Sequence, residues 1–258
     1  MFFHIRIFLY SLIFLFITKL ISSSFISDVI ASASRKELWL IGFLFLVLVI
    51  YFYQIAKRLS QRTSMTPLPV IFVLSTWGLL YFVQSYKQQY LLIGLSTIAY
   101  YFIHISIYRL RSYYKDKTAR GIVAAGSIAT IFLFYATAFG IYLNFDIALW
   151  AFMFLMMLAT SLISFQYFWL INENKKNVLN YSLILGLIMA EIVWILNFWP
   201  FGYLTTGVIT LIFYYVFWDL IEHHFLNDLT KKRILFNLIF FGILIILVLS
   251  SARWLPVV

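Results

Sequence analysis

The sequence predicts an all-α, polytopic transmembrane bundle of about nine helices, and three observations carry that prediction. Of 258 residues, 64% are hydrophobic and the mean hydropathy is +0.97, far outside the range of water-soluble domains. Lys, Arg, Asp and Glu together make up only 11% of the chain, too little polar surface to cover a globule in water. The apolar residues fall in runs of about 20, the number that crosses a hydrocarbon core about 30 Å thick.

Each run is bounded by charge or by Pro and Gly punctuation. The first, about Ile5 to Leu20, ends at a Ser-rich stretch, and the second, Leu38 to Ala56, ends at Lys57 and Arg58. Leu68 to Tyr86 starts after Pro67 and stops at Lys87; Gln89 to Tyr108 stops at Arg109. Gly121 to Leu143 follows Arg120, and Asp146 to Ile171 precedes the polar Asn172 to Lys176. Tyr181 to Trp199 and Phe201 to Glu222 flank Pro200 and read as an antiparallel hairpin joined by the turn Pro200-Phe201. Ile234 to Ser251 follows Lys231, Lys232 and Arg233. These runs leave no room for a separate extramembrane catalytic, nucleotide-binding or DNA-binding domain. Residues 1–258 therefore read as a single membrane domain, with 1–33 as first helix and outer loop and 181–222 as the hairpin that carries the candidate polar sites.

Basic residues orient the bundle, because Lys and Arg are retained beside the cytoplasmic ends of helices. Thirteen lie after the second, fourth, sixth and eighth runs, and only four, Arg35, Lys36, Lys87 and Arg253, in the alternate connections or at the C-terminus. The N-terminus is expected in the cytoplasm and the C-terminus outside. Tryptophan agrees, since it prefers headgroup depth: Trp39, Trp150, Trp199 and Trp254 fall at expected outer ends, and Trp169 and Trp218 at inner ends. Trp77 and Trp194 sit mid-run, where packing is the expected role. The alternative for the first run is a signal peptide cleaved near Ala31-Ser32-Ala33, which would leave eight helices.

The net charge of +10 and pI near 9.7 fit contact with anionic headgroups on the cytoplasmic side, through Arg109, Arg111, Lys115, Lys117, Arg120, Lys231, Lys232 and Arg233. No nucleic-acid-binding signature accompanies that charge. The absence of cysteine excludes disulfides, thiolate metal sites and Cys nucleophiles. No phosphate-binding Gly-x-x-x-x-Gly-Lys loop, Gly-x-Ser-x-Gly elbow or His-Glu-x-x-His site is present.

Two constellations carry polar chemistry. Glu191 lies in Leu187-Ile188-Met189-Ala190-Glu191-Ile192-Val193-Trp194, where an ionised carboxylate costs roughly 2.5 to 3.5 kcal/mol on insertion scales. It is expected to face the bundle interior in its neutral form. The hairpin count puts Thr210 at its depth, with Thr206 one turn away. The functional reading is a proton-carrying or substrate-binding acid; the alternative is a neutral Glu hydrogen-bonded to Thr210 as packing glue. Gly186 and Ala190, and Gly202, Thr206 and Thr210, form small-residue steps beside it.

The second constellation is Asp219, Glu222 and His223, whose spacing of three and four residues places them within one 100° arc of a helix. His104 is expected at matching depth on the fourth helix, which makes a divalent metal site from two helices geometrically feasible. The alternative is that these groups reach the interface and pair with Lys231, Lys232, Arg233 or Arg109. No other cofactor is expected. Lys19 is expected to snorkel to the outer interface, and Asp146 to stabilise the N-terminus of the sixth helix.

Glu191-Ile192-Val193-Trp194, Phe198-Trp199-Pro200, Gly202-Tyr203-Leu204, Trp218-Asp219-Leu220, His224, Leu229-Thr230-Lys231-Lys232 and Arg253-Trp254 look like an uncharacterised polytopic membrane family of small-genome, candidate-phylum bacteria. The resemblance covers the last third of the chain and implies a bacterial inner membrane and no assigned activity. The leading expectation is a membrane-embedded carrier or lipid-handling component. A structural or assembly subunit that docks another membrane protein comes second, and an intramembrane enzyme built on Asp219, Glu222 and His223 third.

Overall fold

A computed structural model describes residues 2–22, 35–61, 63–114 and 116–251. Nine α-helices run through the described residues: α1 (Phe2–Ile21), α2 (Arg35–Ser60), α3 (Pro67–Phe82), α4 (Tyr86–Ser112), α5 (Lys117–Asn144), α6 (Leu149–Phe168), α7 (Lys175–Leu196), α8 (Tyr203–Phe225) and α9 (Lys231–Ser251). A 3-10 turn, Thr63–Met65, precedes α3. Eight of the nine are long and apolar enough to cross a membrane; α3, at 16 residues, is the short one. It stops at Phe82 because Val83 and Ser85 take extended backbone before α4 begins.

Several helices outrun the apolar segments that predict them. The α7 helix starts at Lys175, six residues before Tyr181, with the Asn174 side chain accepting from the Asn177 N–H at 3.3 Å as an N-cap. Lys and Asn interrupt hydropathy without interrupting a helix, so the apolar run is shorter than the helix that contains it. The α6 helix is shorter than expected: it begins at Leu149 with Ala148 at the N-cap. Asp146 is therefore exposed in the preceding connection and outside the first turn. The hairpin connection is also wider than Pro200-Phe201, running from Asn197 to Gly202.

The chain packs as two compact units, Met1–Gly126 and Ser127–Val258, with the boundary inside α5. The first is centred on aromatic rings. Phe14 of α1 stacks on Tyr100 of α4 with centroids 4.5 Å apart, and Phe52 of α2 meets both rings edge-on at 6.0 Å. Trp77 of α3 is buried, as its mid-run position predicts, and its indole N–H donates to Thr18 Oγ1 at 3.1 Å. The candidate cleavage residues Ala31, Ser32 and Ala33 lie outside the described residues, as do Arg62, Lys115, Arg253 and Trp254.

The second unit is held by close backbone approach. A Cβ on Gly186 of α7 would overlap Ser161 Oγ and stand 2.7 Å from the Met157 carbonyl oxygen of α6. One on Gly207 of α8 would stand 3.0 Å from the Ala136 Cα and N of α5. Small residues are the means by which membrane helices gain packing contact, since lipid supplies no hydrophobic drive between helices. The α9 helix contributes no buried residue and packs on α8.

Candidate functional site

The polar interior of the second unit is built from hydroxyls. Thr160, Ser164 and Tyr167 follow one another on α6 at spacings of four and three residues, which keeps them on one helix face over about 10 Å. Each finds a partner on another helix. Thr160 Oγ1 shares a hydrogen bond with Tyr135 Oη of α5 at 2.8 Å, and Ser164 Oγ with Tyr214 Oη of α8 at 3.2 Å. Tyr167 Oη donates to Glu222 Oε1 of α8 at 2.9 Å. Tyr135, Thr160, Ser164 and Tyr214 are fully buried, and the Tyr135 and Tyr214 rings meet edge-on at 6.5 Å. Three separate hydroxyl pairs thus follow one another along α6, a file whose last member reaches the carboxyl of Glu222, which is half-buried.

That carboxyl belongs to a charged cluster where α8 ends. His223 Nε2 stands 3.4 Å from Asp219 Oδ1, while Asn237 Nδ2 of α9 donates to Asp219 Oδ2 at 2.5 Å. The helix closes with Asn227 in the left-handed region at φ 56°. The Asn227 N–H donates to the His224 carbonyl and the Asp228 N–H to the His223 carbonyl, at 3.2 and 3.0 Å, the hydrogen-bond pattern of a Schellman end. This turn brings Asp228 back to within 4.0 Å of His223 Nδ1 and places it on Arg233 Nη1 at 3.0 Å. Thr230 caps α9 by accepting from the Arg233 N–H at 3.3 Å. His224, on the exposed side, pairs with Tyr181 Oη of α7 at 2.9 Å.

The 100° arc expected for Asp219, Glu222 and His223 is wide enough to divide them: Glu222 turns to α6 and Asp219 to α9. His104 belongs to the first unit, fully buried on α4, where its Nδ1 donates to the Tyr100 carbonyl at 2.9 Å. Of the four residues named for a metal, Asp219 and His223 meet each other, while Glu222 bonds to Tyr167 and His104 to the Tyr100 carbonyl; among the described residues no three His, Asp or Glu side chains are grouped to hold one. No ion pair joins Asp219, Glu222 or His223 to a Lys or Arg among the described residues; Arg233 pairs instead with Asp228, which the sequence expectation did not include.

Glu191 requires a correction. It is exposed on the outer face of α7, with no hydrogen-bond or ion-pair partner among the described residues. Thr210, its expected partner, is buried and donates to the Thr206 carbonyl at 2.7 Å, while Thr206 donates to the Gly202 carbonyl at 3.2 Å. The reason is azimuth: Gly186 faces α6, and Glu191, five residues on, lies about 140° around the helix from it. Trp194, expected to pack, is exposed beside it, whereas Trp218, expected as an interface anchor, is buried against Tyr167 with ring centroids 4.8 Å apart.

Of the basic residues expected at lipid headgroups, three have protein partners. Arg109 Nη2 meets Asp116 Oδ2 at 2.7 Å, Arg120 donates through Nε and Nη2 to the Tyr114 carbonyl at 3.2 and 3.0 Å, and Arg233 holds Asp228. Asp116 also caps α5, with Oδ1 accepting from the Ala119 N–H at 3.1 Å. That bond and the Arg109 guanidinium hold its carboxyl below the usual aspartate value, against a smaller opposing effect of desolvation. Arg111, Lys117, Lys231 and Lys232 are exposed. Away from the charged cluster, α5 and α6 enclose an apolar groove of about 290 Å³ whose lining includes Ala138, Ile141, Phe152 and Leu158.

The hydroxyl file escaped the sequence reading, although Thr160, Ser164 and Tyr167 at helical spacing within an apolar run were its signal. Compared with known proteins, residues 54–251 match a family model described as protein of unknown function (DUF5656). No curated protein and no solved structure matches the chain.

Proposed function

We propose, on the premise that this chain belongs to the DUF5656 family of proteins of unknown function, that it is a proton-linked membrane carrier for an apolar or weakly polar substrate. Glu222, and not Glu191, is its protonatable group. The observation that carries this reading is the Tyr167–Glu222 hydrogen bond at the end of a buried hydroxyl file. Hydroxyls both donate and accept, so the pairs could relay a proton to Glu222 when hydroxyl rotation or intervening water links one pair to the next. The apolar groove between α5 and α6 supports a lipidic substrate class in preference to a sugar or an ion.

The arrangement we infer in the membrane has nine crossings with the N-terminus inside, and the location is the bacterial cytoplasmic membrane that the sequence resemblance implies. Lys57 and Arg58 end α2, and Arg109 and Arg111 end α4. For both sets to lie on one side, α3 must cross. Its 16 residues span about 24 Å, and the extended Val83 to Ser85 adds about 10 Å, together enough for the hydrocarbon core.

The test is purified full-length protein in liposomes carrying an internal pH dye, with a potassium diffusion potential to drive protons. Wild-type protein is expected to pass protons and Glu222→Gln to fall to the protein-free rate, with Glu191→Gln unaffected. Equal flux in wild type and Glu222→Gln would remove Glu222 from the path.

A further inference from the structure

We propose that the outer face of α7 is the contact of a parallel, two-fold symmetric homodimer, in which the carboxyl of Glu191 hydrogen-bonds to Glu191 of the second copy. The inference is independent of the carrier reading. It starts from two stripes on one helix. Leu185, Met189 and Val193 are fully buried and are spent within the second unit. Opposite them, Asn180, Ile184, Leu187, Glu191 and Trp194 are all exposed. Their spacings of four, three, four and three residues are the a/d seam of a left-handed helix pair. An exposed apolar stripe alone would simply face lipid. A carboxyl within the stripe changes that, because ionisable groups within membrane spans pair with one another or face protein or water.

Nothing described within the chain answers Glu191. The nearest basic residue earlier on α7 is Lys176, 15 residues or about 22 Å away along the axis. The near end of the helix, Leu196, is five residues or about 7.5 Å away. Helical Cα–Cβ bonds tilt toward the N-terminus, which aims Glu191 away from that end. Reaching the headgroups there works against the geometry of the helix.

Symmetry selects the occupant. A closed symmetric dimer of two copies inserted with the same topology has its two-fold axis along the membrane normal, so helices at that axis are parallel and each residue meets its own copy at its own depth. A lysine or arginine there would repel itself. A carboxylic acid carries one donor and an acceptor, so two acids satisfy each other. A polar residue at a single a position is also the device that fixes register in paired helices, and Asn180, three steps earlier on the seam, is likewise self-complementary.

The chain has no cysteine, so single-cysteine variants of the full-length protein report without background. In lipid nanodiscs and in native membranes, oxidation is expected to cross-link Leu187→Cys and Trp194→Cys into dimers. Phe43→Cys on α2 and Phe236→Cys on α9, at least as exposed, are expected to stay monomeric. Glu191→Leu should weaken dimerisation about tenfold by single-molecule photobleaching, the scale of one membrane hydrogen-bond pair. Glu191→Gln, which keeps a donor and an acceptor, should dimerise like wild type. Cross-linking equally at all four positions, or at none, would overturn the proposal. So would a Glu191→Leu protein that dimerises as well as wild type, since lipid headgroups or bare apolar packing would then account for the face.

Discussion

Tyr167 of α6 donates its phenolic hydrogen to Glu222 of α8 at 2.9 Å, and this bond joins the apolar interior of the second unit to its charged end. On one side of it lie buried hydroxyl pairs; on the other lie Asp219, His223, Asp228 and Arg233. Tyr167→Phe removes the donor and keeps the ring against Trp218. Proton flux in liposomes is expected to fall about tenfold, the equivalent of one hydrogen bond to a charged acceptor, with thermal stability in detergent near wild type. Unchanged flux would show that the tyrosine only packs.

Packing in the second unit depends on two glycines. Gly186→Val and Gly207→Val force side-chain atoms into Ser161 and Met157, and into the Ala136 backbone. Each is expected to destabilise by about 1 to 3 kcal/mol or to displace its helix. Gly242→Val on α9, where an added Cβ meets nothing within 4 Å, serves as the control and should leave the melting temperature in place.

In the first unit the aromatic cluster makes a sharp contrast between neighbours on α1. Phe14 is fully buried, whereas Phe16 is 63% exposed. Phe14→Ala is expected to cost about 3 to 5 kcal/mol, and Phe16→Ala almost nothing by the same unfolding measurement.

Asp116 provides a pH signature. Its folded value is lowered, first by the Ala119 N–H and also by Arg109, so it adds stability above the ordinary aspartate value of about 3.9. That stability disappears as pH falls through the lowered folded value. Asp116→Asn should melt below wild type at pH 7, and the two should converge in strong acid. A gap that persists below the lowered value would assign the effect to shape and not to charge.

Topology is testable by reporter fusions. Those after Lys117 and Lys232 are expected to report cytoplasm; those at Gln84 and between Leu143 and Asp146, the outside. A cytoplasmic signal at Gln84 would show that α3 does not cross.

What the sequence made legible, and what it hid, can be seen on α7 alone. Its presence is plain from the run ending at Trp199, and its start falls at Lys175 and Lys176, the basic pair that bounds the run. Its rotation is not, because Leu185 is fully buried and Leu187 is 53% exposed, and the two are the same residue. A helix apolar on every side carries no amphipathic stripe to say which face is inward, so Glu191 was assigned to the interior on cost alone. The cluster at Glu222 was half legible for a related reason. Three and four residue spacing flagged Asp219, Glu222 and His223, but Tyr167, Asp228 and Asn237 arrive from other helices or a turn, and no local pattern announces them.

The α9 helix, which buries nothing, has a consequence in time. Chains are made and inserted from the N-terminus, so this helix is the last described span to leave the ribosome. It is also the most apolar of the eight helices long and apolar enough to cross a membrane. The eight earlier helices can therefore settle first, with Asp219 still lacking the amide of Asn237. The charged end of the second unit thus includes a contact that the chain can make only after the rest of that end has been synthesised.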